Sequence, residues 1–450
     1  MADGSLSDEP FYGAKNNQNG RFGDIIYIPA ISKVEEHAKL SGPSVLRDLL
    51  NDILSDVVQS GQAYSDFGAA VKTFAGSIRQ EETTDGRSLS GFEDELNSLL
   101  ESWRVMFKLD FLLPTTPEII KSMLEWDIID KFYGRSQEID MYGSGFQRYF
   151  IYSLIQLSSR YLRTKHTKKS NDFIPSMRLV LFEEPEAFLH PPQQEYLAAN
   201  LRELAGNDNW QVVCATHSSH FVSKNAKDLS AIIRLRRFNG EVKAFQISDS
   251  DWASIVSANQ EINKIAENYP KMKLQEEDAK SDMEAVKYFL WLNPDRSGAF
   301  FANYVLLVEG RTEVTLINKL IGDKKINNPY PGMYVLDCMG KYNIHRFMNL
   351  LCHLGIPHSV LHDDDHNINE HKKINQLIQD SKDPTLTMSI KCIPGNLEEM
   401  LGLNLRCRSD AKPQHVLCLY ESRKIDKIKL KSFCELVASC ISFNPSNLAE

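Results

Sequence analysis

The chain has 450 residues, 42% of them hydrophobic and 25% charged, and it carries a formal net charge of −9. These values are typical of a globular protein of two or three domains, and the negative charge argues against broad, nonspecific attraction to DNA. Because no apolar run approaches the length of a membrane span and the N-terminus lacks the apolar core of a signal peptide, the sequence predicts a cytoplasmic protein.

The first predicted elements are a tail, a strand and a group of helices. Residues 1–23 are polar and rich in Gly and Asn, which favours a disordered tail. The apolar segment 24–30 favours a strand, and residues 32–107 are mostly helical in pattern. The helical pattern is broken at 83–90, where Ser90 could cap the next helix.

Three motifs follow along the chain. They are YGSGFQRYF (142–150), RLVLFEEPEAFLHP (178–191) and QVVCATHSSHF (211–221). The second motif is an apolar strand that brings Glu183 and Glu184 into a Pro-containing turn, and the third is an apolar strand that ends at Thr216-His217-Ser218. The segment between these strands begins with prolines and ends at Gly206, which predicts a helix.

These motifs resemble the signature loop, the Walker B strand and the switch histidine of an ABC-type ATPase. The resemblance implies that Glu183 orients the magnesium of ATP, that Glu184 polarises the attacking water and that His217 contacts the γ-phosphate. Most such ATPases have Asp where Glu183 stands. The signature loop of this class faces ATP from the opposite subunit, which gives a further set of nucleotide-binding residues: Gly143, Ser144, Gly145 and Gln147.

The remaining elements are weaker in pattern. Short strands are predicted at 109–113, 128–132, 231–235 and 242–247. Residues 250–300 are polar and charged, and we expect them to form helical connectors between two lobes. The boundary between the lobes is predicted near residue 300, just before a new series of apolar strands begins.

An acidic cluster follows the apolar strands of the C-terminal part. Tyr304–Val308 is an apolar run that stops at Glu309-Gly310, and Pro357–Leu361 leads into the triplet Asp363–Asp365. Helix, strand and helix patterns lie between them, so the strands are predicted to form a parallel sheet, and such sheets bind ligands at the carboxyl ends of their strands. Crowded carboxylates repel one another, so the pattern indicates that a hard cation binds between them.

A glutamate–glycine pair followed by Asp-x-Asp resembles the Toprim domain, the metal-dependent catalytic module of topoisomerases, primases and a group of nucleases. The resemblance implies an acid/base role for Glu309 and coordination of Mg²⁺ or Mn²⁺ by Asp363 and Asp365. An ABC-type ATPase followed by a Toprim domain resembles in turn the overcoming-lysogenisation-defect (OLD) family of ATP-dependent nucleases. The strings EEPEAFLHP and GSGFQR also look like that family, whose context suggests defence against phage.

The OLD resemblance also implies a second group of site residues. In that family, acidic residues at matching places help to bind a second metal ion, and here they correspond to Glu398 or Glu399, between which the sequence does not decide. Glu313 lies one helical turn after Glu309 and is a further candidate ligand. A lysine that steadies the transition state corresponds to Lys412. Each of these residues could instead be a surface charge.

One part of an OLD-type ATPase has no counterpart in these residues. The phosphate-binding loop GxxxxGK[ST] is absent, and the Gly-Lys pair at 340–341 lies in the Toprim-like half without the upstream glycine. We therefore expect either the product of a truncated or split gene, or a nucleotide held by a companion chain. ATP binding and hydrolysis by this chain alone are expected to be poor or absent.

The sequence as a whole predicts an α/β protein, in which a partial ABC-type ATPase lobe precedes a Toprim-like parallel α/β domain. The predicted parts are a disordered tail (1–23), a partial ABC-type ATPase domain (24–249), a helical connector (250–300), a Toprim nuclease domain (301–420) and a C-terminal helix (421–450). The predicted activity is metal-dependent endonucleolytic cleavage of DNA with two metal ions, by a homo-oligomer.

Two other functions remain open. A topoisomerase or primase is disfavoured because no partner breakage domain or primase zinc site is visible. A non-catalytic assembly or DNA-binding protein with a degenerate ATPase lobe is the alternative from another class. DNA could be contacted by three basic stretches, each of which could equally be a solvated surface: residues 160–169, 234–237 and 423–431.

Overall fold

The computed structural model describes residues 24–30, 38–40, 44–161, 178–222, 226–238, 240–269, 283–284, 287–288, 293–330, 332–365, 368–405 and 407–442. The chain divides into two compact units, Met1–Thr216 and His217–Glu450. The tail predicted at 1–23, residues 162–169 of the first basic stretch and most of 270–292 in the predicted connector lie outside the described residues. The domain bounds given above stay a prediction.

Unit 1 contains a parallel sheet of three strands. Its elements are β1 (Asp24–Ile28), α1 (Val45–Ser60), α2 (Gln62–Gln80), α3 (Leu89–Leu100), α4 (Thr116–Met123), β2 (Ile128–Asp130), β3 (Arg135–Gln137), α5 (Ser144–Tyr161), β4 (Arg178–Glu183), α6 (Pro191–Ala205) and β5 (Trp210–Ala215). Strand β4 pairs in parallel with β1 on one side and with β5 on the other. The carboxyl ends of these strands therefore share one edge of the sheet.

The two short strands predicted before the signature motif need correction. The segment 109–113 is not a strand, because its backbone is held by side chains rather than by a ladder, and the Leu109 N–H donates to Glu93 Oε1 at 3.2 Å. The strand predicted at 128–132 is shorter. It pairs as β2 with β3 in an antiparallel hairpin, and the chain turns back at Gly134, whose φ of 61° is in the left-handed region.

The helical pattern predicted for 32–107 is confirmed, within the part of the chain that the structure describes, by α1, α2 and α3. The predicted cap of α3 is wrong by two residues. Ser88, not Ser90, accepts a hydrogen bond from the Gly91 N–H at 3.0 Å. Ser88 is extended and precedes the first turn, whereas Ser90 already lies inside the helix, and only the former position lets a side chain reach the unpaired N–H groups.

Unit 2 contains a four-stranded parallel sheet and an antiparallel hairpin. Its elements are β6 (Ile233–Phe238), β7 (Glu241–Gln246), α7 (Asp249–Asn259), α8 (Glu261–Glu267), α9 (Pro294–Ser297), β8 (Tyr304–Val308), α10 (Arg311–Gly322), β9 (Met333–Asp337), α11 (Ile344–His353), β10 (His358–Asp363), α12 (Asn369–Asp380), β11 (Thr387–Ile393), α13 (Leu397–Leu401), α14 (Lys412–Glu421) and α15 (Lys427–Ile441). Among the described helices, none combines the length and apolar content needed to span a bilayer.

The four-stranded sheet has helices packed against both faces. Its inner strand β8 is therefore apolar at every position. The strand order is β11–β10–β8–β9, and all pairs are parallel. Alternate residues of β8 enter opposite cores, with Val305 and Leu307 on one face and Tyr304, Leu306 and Val308 on the other. This pattern is typical of a parallel strand covered on both faces, and the predicted parallel α/β arrangement is confirmed.

One strand of the four-stranded sheet was not predicted, and the two strands of the separate hairpin differ from their predicted bounds. Strand β11 lies at an edge, and its run is interrupted by Ser389 and Lys391, so it lacks the continuous apolar pattern of a buried strand. The strands predicted at 231–235 and 242–247 are confirmed as the hairpin β6–β7, in antiparallel register.

Two arginines anchor the hairpin to the segments that precede β8 and β10. Arg234 donates hydrogen bonds to the carbonyls of Phe300 (3.1 Å), Ala302 (3.1 Å) and Gly355 (3.2 Å). Arg236 donates to the same Gly355 carbonyl at 3.2 Å. Burial lowers the pKa of Arg234 to about 10. The guanidinium groups of both arginines therefore bind backbone carbonyls of unit 2, and DNA contact by this basic stretch stays an untested alternative.

Replacing Arg234 with Ala should lower the free energy of unfolding by about 2 kcal/mol, because each partly buried carbonyl left without a donor costs roughly 1–3 kcal/mol. Urea denaturation followed by circular dichroism measures the change. Arg237→Ala is the matched control, since Arg237 lies on the same strand and is exposed. Equal losses in the two variants would contradict the anchoring role.

Candidate functional site

Two neighbouring strands of unit 2 deliver carboxylates to the same edge of the sheet. Strands β8 and β10 pair in parallel, Glu309 directly follows β8 and Asp363 is the last residue of β10. The Asp363 N–H donates a hydrogen bond to Glu309 Oε1 at 2.7 Å. The two predicted strand ends therefore meet, as parallel pairing requires.

The backbone turn after β10 brings the third carboxylate to this edge. One carboxylate oxygen each from Glu309, Asp363 and Asp365 lies within 4.8 Å of the other two. Asp365 has a left-handed φ of 45°, and its N–H donates to the Gly395 carbonyl at 3.0 Å. The intervening Asp364 is held instead by Asn375, whose Nδ2 donates to its carbonyl at 2.7 Å. The Asp-x-Asp pattern thus places its first and third residues in one cluster.

The cluster is poorly compensated without a cation. Burial, together with the charges of Glu309, Glu313 and Asp365, raises the pKa of Asp363 to about 9. Burial also raises the pKa of Glu309. Among the described residues, Asp363 Oδ1 is buried and accepts no hydrogen bond. A buried carboxylate oxygen without a donor, beside two other carboxylates, fits a divalent cation, because such an ion supplies positive charge and takes oxygen ligands.

A lysine that the sequence interpretation did not place in the site lies against this cluster. Lys341 Nζ is 2.8 Å from Asp365 Oδ2 and 3.7 Å from Glu309 Oε1, and its side chain is only 3% exposed. His371 Nδ1 lies 2.8 Å from the same Asp365 oxygen. Burial alone would raise the pKa of Asp365, but the hydrogen bonds and charges of Lys341 and His371 outweigh it and hold the pKa below its usual range.

The sequence contained a signal for this lysine. The Gly340-Lys341 pair does not form a phosphate-binding loop. It lies four residues after the end of β9, and β9 is the neighbour of β8 in the sheet. Gly340 has a φ of 108°, and its N–H donates to the Glu309 carbonyl at 2.6 Å, which ties this loop to the glutamate. A polar residue near the carboxyl end of the second predicted strand of this series was therefore the available signal.

Glu313 lies beside the cluster and also serves the helix that carries it. Its Oε2 accepts a hydrogen bond from the Gly310 N–H at 3.1 Å, which caps the first turn of α10. Burial, with the nearby charges of Glu309 and Glu398, raises the pKa of Glu313 to about 7. The structure thus brings Glu313 near the other acidic residues, and its role as a metal ligand stays a prediction.

The predicted lysine and one of the two candidate glutamates form an ion pair. Lys412 Nζ lies 2.5 Å from Glu398 Oε1. The hydrogen bond to Glu398 raises the pKa of Lys412, and the charges of Glu313 and Asp363 add to it. The pKa shifts of both Glu313 and Lys412 name Glu398 among their causes, which places Glu398 beside these two site residues. The choice of Glu398 over Glu399, like the metal and catalytic roles, stays a prediction.

The Walker B glutamates of unit 1 lie at the carboxyl end of β4. Glu183 Oε1 accepts a hydrogen bond from the Tyr27 hydroxyl at 2.8 Å, and its Oε2 accepts one from the Ala30 N–H at 3.2 Å. Glu184 has a left-handed φ of 42°, and its N–H donates to the Ala215 carbonyl at 2.7 Å. Both carboxylates thus stand at a strand end, as predicted, and their nucleotide roles stay predictions.

The signature-loop residues make contacts inside unit 1 that need no nucleotide. A Cβ on Gly145 would lie 2.8 Å from the Phe188 carbonyl, so this position excludes larger residues. Gln147 Nε2 donates to the Tyr142 carbonyl at 2.8 Å. Ser144 is the first residue of α5. Packing and hydrogen bonding within unit 1 are therefore sufficient to account for Gly145 and Gln147 at these positions. Binding of ATP by this loop stays a prediction.

Further contacts hold the signature helix and the third motif in place. Arg148 on α5 is buried, and its Nη1 donates to the Glu184 carbonyl at 2.5 Å. Thr216 Oγ1, which follows β5, donates to Glu186 Oε2 at 2.7 Å. His217 begins the second unit and is the residue after Thr216. Neither Arg148 nor Glu186 was singled out from the sequence, although both lie within the quoted motifs.

Two family models match the chain. An AAA ATPase domain matches residues 16–222, and an overcoming lysogenization defect protein-like TOPRIM domain matches residues 300–365. The class of protein is thereby defined as one with an AAA-type ATPase region followed by a Toprim domain. The predicted order of domains and the α/β fold class are confirmed.

Relatives point to the same family. The Old nuclease of Escherichia phage P2 is 27% identical over 83% of this chain and 59% of that protein. Endonuclease GajA of Bacillus cereus (strain HuB5-5) is 24% identical over 62% of this chain and 39% of that protein. The OLD nuclease of Thermus scotoductus is 28% identical over 41% of this chain and 30% of that protein. The resemblance to the OLD family is confirmed, and the chain spans at most 59% of the length of these three relatives.

Proposed function

We propose that this chain is a metal-dependent DNA endonuclease of the OLD type, which hydrolyses phosphodiester bonds at its Toprim domain. The observation that carries the proposal is the cluster of Glu309, Asp363 and Asp365 at adjacent strand ends, within 4.8 Å of one another. The names of the relatives, Old nuclease, Endonuclease GajA and OLD nuclease, support it. DNA is therefore the proposed substrate.

Glu309, Asp363 and Asp365 would hold one Mg²⁺ or Mn²⁺ ion, because carboxylate oxygens are the ligands that these hard cations prefer. Glu313 and Glu398 are the proposed ligands of a second ion, as both lie next to the cluster. When bound, such ions would activate a water molecule and stabilise the attacking and leaving oxygens of the phosphodiester.

The protein's own groups have separate proposed tasks. Glu309 is placed to accept a proton during attack or to pass one to the leaving oxygen, since it stands at the rim of the sheet beside Asp363. Lys412 would offset the negative charge that grows on the scissile phosphate, and Glu398 holds its ammonium 2.5 Å away until substrate arrives. Asp364 has no proposed task, because Asn375 holds it.

A second proposal concerns the ATPase region. The lack of a GxxxxGK[ST] segment within these residues favours a role in assembly over nucleotide turnover by this chain alone. ATP binding would need a phosphate loop from outside these 450 residues. The proposed assembly is a cytoplasmic homo-oligomer whose Toprim domains act on DNA.

Incubation of supercoiled plasmid with Mg²⁺ or Mn²⁺ tests the nuclease proposal directly. We expect nicked and then linear DNA, and no products in EDTA. Relaxed, covalently closed circles would instead indicate a topoisomerase. Unchanged DNA together with a shift in gel mobility would favour the DNA-binding alternative.

The apolar surface of unit 1 predicts self-association. Large apolar side chains are exposed on α2, α3 and the segment after them, among them Trp103 at 77% and Leu112 at 85%. Exposed apolar side chains of this size would be buried in a dimer interface, and this supports the proposal of self-association. Light scattering coupled to size exclusion should give a dimer or larger, and Trp103→Glu with Leu112→Glu should shift the mass toward the monomer. A strict monomer at micromolar concentration would contradict the prediction.

A further inference from the structure

The ammonium of Lys341 is a buried charge that lies against the proposed ligand set without belonging to it. The side chain is 3% exposed, yet it faces two carboxylates of the proposed metal centre, Asp365 at 2.8 Å and Glu309 at 3.7 Å. A buried lysine keeps its charge only where opposite charges replace its lost hydration. Lys341 and the carboxylates therefore stabilise one another when no other cation is present.

The same contacts set up a conflict with a metal ion. Asp365 Oδ2 is shared between Lys341 Nζ and His371 Nδ1, each at 2.8 Å. A divalent ion that used this carboxylate and Glu309 would have to share their charge with the ammonium and would be repelled by it at short range. Lys341 thus stabilises the metal-free protein and disfavours binding of the metal ion.

We propose that Lys341 is a built-in counter-cation, which positions Glu309 and Asp365 before the metal arrives and weakens metal binding by competing for the same oxygens. The inference rests on the proposed metal centre and deepens it. It makes Lys341 a positioning residue, because it would act through the carboxylates and not on the substrate. Its functional effect would be to keep the first metal ion exchangeable.

Removing the charge of Lys341 separates this role from a purely structural one. Lys341→Met keeps the length and apolar stem of the side chain. We expect the metal-free variant to melt below the parent. We also expect its tightest Mn²⁺ site, measured by calorimetry, to gain about tenfold or more in affinity, because the repulsion between the ammonium and the ion is removed. Mn²⁺ should therefore raise the melting temperature more in the variant than in the parent.

Two further variants complete the test. Lys341→Gln keeps a hydrogen-bond donor for Asp365 and removes the charge, so it should also bind Mn²⁺ more tightly even if Lys341→Met does not fold. Lys319→Met is the matched control, because it removes the same charge from the far end of α10, where Lys319 pairs with Asp323 and Glu421, and it should leave Mn²⁺ affinity unchanged.

Equal or weaker Mn²⁺ binding in the Lys341→Gln variant would overturn the inference. The readout is independent of cleavage, so the two proposals can fail separately. A parent that binds Mn²⁺ without cutting plasmid would refute the nuclease and leave the effect of Lys341 measurable. If the parent bound no Mn²⁺, the inference would require that the Lys341→Met and Lys341→Gln variants do bind it. The absence of Mn²⁺ binding in both variants would then refute the inference.

Discussion

Asp363→Ala is expected to lower the rate of plasmid cleavage by about a thousandfold or more without destabilising the metal-free protein. A metal ion contributes several kcal/mol to a phosphodiester transition state, and each 1.36 kcal/mol is about a factor of ten in rate. Stability should not fall, because Asp363 Oδ1 has no hydrogen-bond donor among the described residues and the carboxyl lies beside other acidic groups. Cleavage of supercoiled plasmid and thermal melting measure the two quantities.

The neighbouring aspartates of the triplet provide the controls. Asp364→Ala should cleave at close to the parental rate, because its side chain is held by Asn375 outside the cluster. Asp365→Ala should lose both cleavage and stability, since it leaves the buried Lys341 without its nearest carboxylate. The site assignment would be wrong if the double variant Asp363→Ala, Asp365→Ala cleaved plasmid at the rate of the parent. It would also be wrong if Asp364→Ala were as inactive as Asp363→Ala.

The carboxylate cluster could be predicted from sequence because strand periodicity and sheet geometry are sufficient to locate it. The run Tyr304–Val308 is apolar at every position, which identifies a strand covered on both faces, and a parallel sheet then aligns its end with the end of β10. That alignment brings Glu309 to the triplet Asp363–Asp365, and the choice of Asp363 and Asp365 within the triplet follows from the Toprim resemblance.

The positive side of the cluster could not be predicted in this way. Lys341 lies in a loop, and its burial depends on the left-handed turn at Gly340 and on the path of β10, which no local pattern specifies. The carbonyl contacts of Arg234 could not be predicted for a similar reason, because a basic residue on a hairpin has the same sequence pattern whether it faces DNA, solvent or carbonyl groups. Long-range packing decides between these outcomes.

Purified alone, this chain is expected to show no saturable ATP binding at micromolar concentration and no steady release of phosphate. Within these 450 residues no GxxxxGK[ST] segment is present, and that loop with its lysine supplies much of both the binding and the charge stabilisation in P-loop enzymes. The roles predicted for Glu183 and Glu184 are to position magnesium and water, and these roles do not include enclosing the β-phosphate. Calorimetry with ATP and a phosphate-release assay with and without DNA measure the two quantities.

Plasmid cleavage by the same protein should then be independent of ATP, because Glu309, Asp363 and Asp365 are brought together by the sheet of unit 2 itself. The cleavage rate in Mg²⁺ or Mn²⁺ should be unchanged on addition of ATP, and equal for the parent and the Glu184→Gln variant. Micromolar ATP binding with steady turnover that Glu184→Gln abolishes would contradict the prediction. That result would mean that a phosphate-binding loop of another sequence exists within these residues, and that the contacts of Gly145 and Gln147 rearrange around the nucleotide.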